Sequence, residues 1–147
     1  MNGPTHLAVG IAVGMAAAPP GDWQELAIAG AVGGLAGLLP DWLQINLPGV
    51  NDRVKGITGH RGFSHWVWTG LAVGYVPVLV ERPSYGFPVL CGYLSHILLD
   101  LIAGGCFALW PLRRITLARV RCGSWMDKTF GAAGLLLIVA QIAQRLL

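Results

Sequence analysis

The segment Gly92-Tyr93-Leu94-Ser95-His96-Ile97-Leu98-Leu99-Asp100-Leu101-Ile102-Ala103-Gly104 combines an apolar helical pattern with a histidine and a carboxylate. Residues four apart lie on the same face of an α-helix, so we expect His96 and Asp100 to project together. Gly92 and Gly104 extend this face in both directions, and small residues there let another helix approach closely. The segment therefore predicts a tightly packed helix with one ionisable face.

The composition of the whole chain is typical of a membrane protein. Its 147 residues are 54% hydrophobic and only 12% charged, whereas an average soluble domain has about 25% charged residues. A small soluble chain needs a polar surface because its surface-to-volume ratio is high. The composition therefore argues against a soluble monomer and against a disordered chain. The length fits a single domain over residues 1–147.

Apolar segments predict an all-α integral membrane protein with five short, glycine-rich helices. The segments are Thr5–Ala18, Trp23–Leu39, His65–Val80, Phe87–Trp110 and Phe130–Leu147. A complete span takes about 20 residues, which the fourth segment provides and the first does not. Pro19-Pro20-Gly21 breaks the chain after the first segment, which predicts that the first two pair as a hairpin. The residues near 111–125 predict a small β-hairpin or a segment at the membrane surface.

Basic residues predict the orientation of these segments. If the segments alternate in direction, one side receives eight of them: Arg53, Lys55, Arg61, Arg113, Arg114, Arg119, Arg121 and Lys128. The other side receives only Arg82 and Arg145. Because positive loops stay in the cytoplasm, we expect a multi-pass protein of the bacterial inner membrane with a cytoplasmic N-terminus. This topology accounts for the net charge of +3, so no nucleic-acid partner is expected.

Ionisable residues at membrane depth are costly and indicate function. Six such residues fall in the cytoplasmic half under this topology: His6, Asp41, His60, His65, His96 and Asp100. Some continue glycine stripes with a spacing of four, as in His6-Gly10-Gly14. Imidazole and carboxylate groups are ligands of zinc and manganese. We therefore predict that the six residues form a divalent-metal site, with zinc favoured over manganese.

The order of these motifs along the chain resembles that of the YdjM family. The motifs are Thr5-His6, Leu39-Pro40-Asp41, His60-Arg61-Gly62-Phe63-Ser64-His65, Gly92 through Asp100, Leu109-Trp110-Pro111 and Cys122-Gly123-Ser124-Trp125-Met126-Asp127. That family is described as LexA-regulated inner-membrane proteins with a hypothesised metal-dependent hydrolase activity. The resemblance implies the same hypothesis here. Family members often carry a second acid two residues after Leu-Pro-Asp. This chain has Leu43 there, which weakens the case for a second metal ion.

A hydrolase at this depth would act on a phosphoester or ester bond of a membrane lipid or a lipid-linked phosphate. A bound metal would activate water for the attack. Asp41 or Asp100 is predicted to take the proton, and Arg61 to hold a phosphate oxygen. Asp127, near the predicted start of the last helix, is a further candidate for base or ligand.

Three other functions remain open from the sequence. Intramembrane histidines and aspartates also mark ion pathways, so metal or proton transport is the main alternative. A bis-histidine haem protein would use the histidines but gives no role to Asp41 or Asp100. A purely structural membrane subunit is the third. Glycine pairs such as Gly10/Gly14, Gly30/Gly34 and Gly70/Gly74 would pack helices within one chain or in a homo-oligomer.

Overall fold

The described residues, 1–43 and 61–146 of a computed structural model, form a bundle of five α-helices. Helices α1 to α5 span, in order, Gly3–Ala16, Trp23–Trp42, Val67–Leu79, Gly86–Ala103 and Trp125–Leu146. Short 3-10 turns at Phe63–His65 and Pro83–Tyr85 precede α3 and α4. The predicted all-α class is confirmed.

Two helical segments are long and apolar enough to cross a membrane. They are Pro83–Ala103, which joins the 3-10 turn to α4, and α5. Helices α1 and α3 are apolar but have only 14 and 13 residues, which correspond to about 20 Å at 1.5 Å per residue. The hydrocarbon core of a bilayer is about 30 Å thick. Helix α1 packs along α2, as predicted for the hairpin.

Glycine faces bring α1, α2 and α4 into backbone contact. A Cβ atom built on Gly33 would lie 2.6 Å from the Cα atom of Gly14, and one on Gly92 would overlap the Gly33 carbonyl oxygen. A Cβ on Gly37 would lie 3.0 Å from the His6 carbonyl oxygen. No larger residue fits at Gly33 or Gly92 without displacing backbone. The stripes predicted from the spacing are therefore the contact surfaces of three helices.

The other glycine pairs also pack within the chain. Built Cβ atoms on Gly30 and Gly34 would meet side chains of α1, at Met15 and Ile11. Those on Gly70 and Gly74 would meet side chains of α4. Each glycine pair named in the sequence analysis thus packs against a helix of its own chain. These pairs therefore do not argue for a homo-oligomer, and the homo-oligomer stays a prediction.

Helix α4 ends earlier than predicted, at Ala103 rather than near Trp110. Gly104 and Gly105 adopt positive φ angles of 153° and 84°, a region that favours glycine and ends helices. The chain beyond them contains an isolated antiparallel bridge between Cys106 and Ile115, and the described residues contain no extended strand. The β-hairpin predicted near 111–125 is therefore not formed. Only one bridge is present in the described part of the chain, and Cys106, one of its two residues, lies before residue 111.

Helix α5 begins at Trp125, five residues before the predicted Phe130, because Ser124 caps it. The Ser124 hydroxyl accepts a hydrogen bond from the Asp127 amide at 3.4 Å, and the Ser124 carbonyl accepts from the Lys128 amide at 3.0 Å. One face of α5 packs against α1, whereas large apolar residues elsewhere on it are exposed, including Leu136 at 70%. Such exposure is expected for a helix that faces lipid.

One end of the bundle, which we call the histidine end, is where α1, α3 and α5 begin and where α2 and α4 end. Five of the six tryptophans belong to this end: Trp42, Trp66, Trp68, Trp110 and Trp125. The rings of Trp66 and Trp110 stack with centroids 4.5 Å apart, and Trp68 Nε1 donates to the Trp110 carbonyl at 3.2 Å. Tryptophan concentrates at membrane–water interfaces, so the histidine end is expected at an interface.

Candidate metal centre

Five of the predicted ligands come together at the histidine end. His6 lies early in α1, Asp41 in the last turn of α2, His65 in the turn before α3, and His96 and Asp100 in α4. The three histidines are completely buried, and the Asp100 side chain is 3% exposed. The Asp41 side chain is 35% exposed, so the cluster opens toward Asp41. The sixth predicted ligand, His60, lies outside the described residues.

One group of candidate ligand atoms consists of His65, His96 and Asp41. The two histidine Nε2 atoms are 3.2 Å apart. Asp41 Oδ1 lies 3.8 Å from His65 Nε2 and 3.6 Å from His96 Nε2. Two nitrogens bound to one tetrahedral zinc ion would be about 3.3 Å apart, since each Zn–N bond is about 2.0–2.1 Å. The separation of the two histidines therefore fits a single ion.

A second group consists of His6, His96 and Asp100. The His6 and His96 rings stack with centroids 3.8 Å apart and planes 19° apart. His6 Nε2 lies 3.5 Å from Asp100 Oδ1, and Asp100 Oδ2 lies 3.4 Å from His65 Nε2. The two groups thus share His96. Two separate ions would have to compete for its one free nitrogen, so the arrangement favours one ion.

The backbone of α2 fixes the tautomer of His96. His96 Nδ1 lies 2.7 Å from the Gly37 carbonyl oxygen. A carbonyl only accepts hydrogen bonds, so Nδ1 carries the proton and Nε2 presents its lone pair to the cluster. A bond from the outer ring nitrogen to a carbonyl is the usual support of a metal-binding histidine. The close approach of α2 and α4 at the glycine faces makes this bond possible.

Two residues that the sequence analysis missed hold His65 in place. The Ser64 hydroxyl lies 3.0 Å from His65 Nδ1. Tyr93 of α4, which is completely buried, donates its hydroxyl to the Ser64 carbonyl oxygen. A buried tyrosine hydroxyl needs a polar partner, and that need was the available signal for Tyr93. The partner itself could not be read from the sequence because it lies 29 residues away.

The ring of His6 carries the strongest indication of an additional ligand. Both of its nitrogens are buried, and neither makes an aligned hydrogen bond with a described residue; the nearest carboxylate oxygen, Asp100 Oδ1, lies 3.5 Å from Nε2. A buried polar group without a partner costs about 1–3 kcal/mol. A metal ion would give one of these nitrogens a partner. The donor set of imidazoles and carboxylates therefore fits a divalent metal.

Arg61 and Asp100 form a close ion pair within the cluster. Arg61 Nε lies 2.6 Å from Asp100 Oδ2 without good hydrogen-bond alignment, and Nη2 donates to Oδ1 at 3.2 Å. The α-amino group of Met1 also donates to Oδ1, at 3.0 Å. Arg61 has a positive φ of 65°, an uncommon conformation that is often found at functional sites. In this arrangement the guanidinium is occupied by Asp100, so the predicted phosphate contact would require it to turn.

Asp127 is not brought into the centre. Its Oδ1 accepts from the Thr5 hydroxyl at 2.8 Å, and its Oδ2 accepts from the amides of Gly123 at 2.6 Å and Asn2 at 3.3 Å. Asp127 is completely buried, and neither group of candidate ligands includes it. These bonds connect the start of α5 to the start of α1. The carboxylate is therefore placed to hold two helices together, and its role as base or ligand stays a prediction.

The fold and the cluster define a class of protein, an α-helical membrane protein with a candidate divalent-metal centre at one interfacial end. The family model described as YdjM inner membrane protein matches residues 1–146. The chain belongs to this family and is an inner membrane protein, as the resemblance implied. No curated protein and no solved structure matches the chain.

Proposed function

We propose that this protein is a membrane-bound, metal-dependent hydrolase that holds one divalent ion, zinc in preference to manganese. His65 and His96 would hold the ion with Asp41, and His6 or Asp100 would complete the set. The observation that carries the proposal is the pair of buried Nε2 atoms 3.2 Å apart, one of them oriented by Gly37. His60 remains a predicted ligand.

The residues around the ion would have different roles in hydrolysis. A bound divalent ion supplies Lewis-acid activation of water and of a substrate oxygen. Asp41 is the most exposed of the described candidate ligands, so it is placed to accept the proton of an entering water molecule. Arg61 balances the charge of Asp100 in the resting centre. When an anionic substrate enters, the same guanidinium can exchange Asp100 for a phosphate oxygen.

The depth of the cluster supports a lipid or lipid-linked substrate. The cluster lies at the level where Trp42, Trp66 and Trp68 mark the expected membrane interface, which is also where phosphate headgroups and ester bonds of lipids lie. Transport of metal or protons would need a path to the opposite end. The backbone contacts among Gly14, Gly33 and Gly92 leave no space for such a path between α1, α2 and α4, which supports the hydrolase over the carrier.

The proposal is tested by lipid hydrolysis with Asp41→Asn. Protein in detergent micelles, loaded with zinc or manganese, is assayed against phospholipids, lipid phosphates and carboxylic ester lipids. Asparagine keeps Oδ1 as an oxygen ligand but cannot accept a proton. We therefore expect turnover to fall by about 100-fold or more, while metal content falls less. Glu81→Gln is the matched control, because this exposed carboxylate lies at the opposite end. If metal-loaded wild type hydrolyses none of the lipids, the proposal fails and metal transport becomes the leading explanation.

Tyr93→Phe is expected to weaken metal binding without unfolding the protein. The substitution removes only the hydroxyl that donates to the Ser64 carbonyl, so the turn that carries His65 becomes less fixed. Loss of an outer support of this kind costs about 10–100-fold in metal affinity. Competition with a chromophoric chelator measures the affinity, and Tyr75→Phe, an exposed tyrosine of α3, is the control. Equal affinities for both variants would exclude this role of Tyr93.

We further propose that the histidine end faces the cytoplasm in a multi-pass topology. Cys122 is exposed at this end, whereas Cys91 is half-buried within α4 and Cys106 is buried. Burial raises the pKa of the Cys106 thiol to about 11, which keeps it unreactive. A membrane-impermeant maleimide should therefore label Cys122 in inverted vesicles and not in intact spheroplasts. Ser84→Cys in a Cys122→Ser background, at the opposite end, should show the reverse. Labelling of Cys122 in spheroplasts would invert the topology.

A further inference from the structure

A basic cavity lies beside the metal centre and is not part of it. Its volume is about 650 Å³, and it is lined by Ala103, Gly104, Arg114, Thr116, Arg119, Val120 and Arg121. Volumes of this size are typical of small-molecule sites. We call it the arginine pocket. Three of the seven lining residues are arginines and none is acidic, so the pocket is suited to an anion.

The positive charge of the arginine pocket is not balanced by its own segment. Residues 104–124 contain four arginines and no aspartate or glutamate. The side chains of Arg119 and Arg121 make no ion pair or hydrogen bond with other described residues, and only the Arg121 backbone carbonyl accepts one, from the Ser124 amide at 3.1 Å. In a protein with only 12% charged residues, arginine side chains that have no partner among residues 1–43 and 61–146 and surround one cavity indicate an anionic ligand.

Arg114 is held in position by the turn that ends α4. Its Nη2 donates to the carbonyl oxygens of Gly104 at 2.9 Å and Gly105 at 3.1 Å, and the Thr116 hydroxyl donates to Gly104 at 3.3 Å. These bonds leave the other nitrogens of the guanidinium available. Held in this way, Arg114 can bind an anion at little further cost in side-chain entropy.

The same turn joins the arginine pocket to the metal centre. The Gly105 carbonyl accepts from Arg114 Nη2 on the pocket side and from Arg61 Nη1, at 3.2 Å, on the side of the centre. Arg61 in turn binds Asp100. The Gly105 carbonyl and the Arg61 guanidinium therefore connect Arg114 of the pocket to Asp100, a candidate ligand of the metal. An anion in the pocket would lie next to the residues proposed to perform hydrolysis.

We propose that the arginine pocket binds a phosphate group, and that this group belongs to the substrate. The second part rests on the proposed function, whereas phosphate binding itself does not require the metal. Arg119 and Arg121 supply the charge, and Arg114 supplies the Nε and Nη1 donors that its bonds to Gly104 and Gly105 leave available. The phosphate can come from a lipid headgroup or from a soluble phosphate. The pocket lies close to Trp110 and Trp125 in the chain, at the expected interface, which favours the headgroup.

The test compares two double variants of the full chain in neutral detergent micelles. Arg119→Gln/Arg121→Gln removes two charges from the pocket. Arg82→Gln/Arg113→Gln removes two charges from residues that do not line it. Phosphatidic acid in phosphatidylcholine mixed micelles is one probe, and inorganic phosphate is the other. Binding is measured by thermal shift with metal and with a chelator, since a ligand that binds only the folded protein raises its melting temperature.

We expect the pocket variant to bind phosphatidic acid about tenfold or more weakly than wild type, because charge-assisted hydrogen bonds are lost. The control variant should stay within about twofold of wild type, because its charges lie outside the pocket. Binding of phosphatidic acid alone identifies a lipid headgroup, and binding of inorganic phosphate as well identifies a site open to both sources. Equal weakening in both variants, or no binding by wild type, overturns the proposal.

The same experiment separates this proposal from the proposed function. If phosphate binds in the presence of chelator and the protein never binds metal, the phosphate-binding proposal is supported and the proposal of a metal-dependent hydrolase is wrong. If metal content is normal in both variants and neither probe binds wild type, the phosphate-binding proposal is wrong and the proposed metal centre is retained. The metal content of each variant is therefore measured on the same samples.

Discussion

Replacing His96 with alanine is expected to remove the metal from an otherwise folded protein. His96 is shared by both groups of candidate ligands, and its Nε2 lone pair faces the centre because Nδ1 is bonded to Gly37. Loss of an outer support already costs about 10–100-fold in affinity, so loss of the ligand itself should cost more than about 100-fold.

Elemental analysis of detergent-purified protein measures this effect. Wild type should contain about one zinc or manganese per chain, and His96→Ala should contain almost none. Ser95→Ala is the matched control, since it removes a buried side chain one residue away whose hydroxyl bonds to the Gly92 carbonyl of its own helix. Unchanged metal content in folded His96→Ala would place the site elsewhere. Absence of metal from reconstituted wild type would leave the histidines as packing or proton-carrying groups.

Gly33→Ala is expected to destabilise the bundle and to weaken metal binding, although Gly33 is not a ligand. The added Cβ would lie 2.6 Å from Gly14 Cα and 2.7 Å from the Gly10 carbonyl oxygen. Both atoms belong to the backbone of α1, so no side-chain rotation relieves the contact and the helices must separate. Overpacking of this kind costs about 1–3 kcal/mol. The separation also moves His6 and its neighbours on α1 away from His96.

Thermal unfolding in detergent and the zinc affinity of the same samples measure the two effects of Gly33→Ala. Gly3→Ala is the matched control, because nothing lies within 4 Å of a Cβ built at Gly3, and its effect should stay within about 0.5 kcal/mol. A Gly33→Ala protein that melts and binds zinc like Gly3→Ala would show that the helices are not held together at the glycine faces.

The helices and their faces could be predicted from local features. A spacing of four places Gly33, Gly37 and Asp41 on one face of α2 regardless of its partners. The count of apolar segments also assigned His6 and Asp41 to one end, because alternation of direction follows from chain connectivity. The early end of α4 was missed because Leu101 to Trp110 is apolar, and apolarity does not distinguish a helix from a buried turn at Gly104–Gly105.

The roles of single side chains could not be predicted in the same way. Arg61 was expected to face a substrate, but it lies against Asp100, 39 residues further along the chain. Asp127 was expected near the centre, but Thr5 and Gly123 bind both of its oxygens. Arg61 and Thr5 come from positions 39 and 122 residues away from these carboxylates, so both pairings depend on the packed fold. A buried carboxylate forms a bond with a neighbouring cation or hydroxyl, because a buried charge without a partner is energetically costly.

The amino-acid order is sufficient to specify an all-α membrane protein, its glycine faces and the kinds of residue that meet at one end. These are properties of spacing and composition, which each segment carries alone. The folded bundle adds that His96 turns its Nε2 inward, that Tyr93 fixes the turn of His65, and that the Gly105 carbonyl and Arg61 connect the arginine pocket to the candidate metal centre. Such features depend on distances between helices far apart in the chain, and those distances exist only after α1, α2 and α4 have packed.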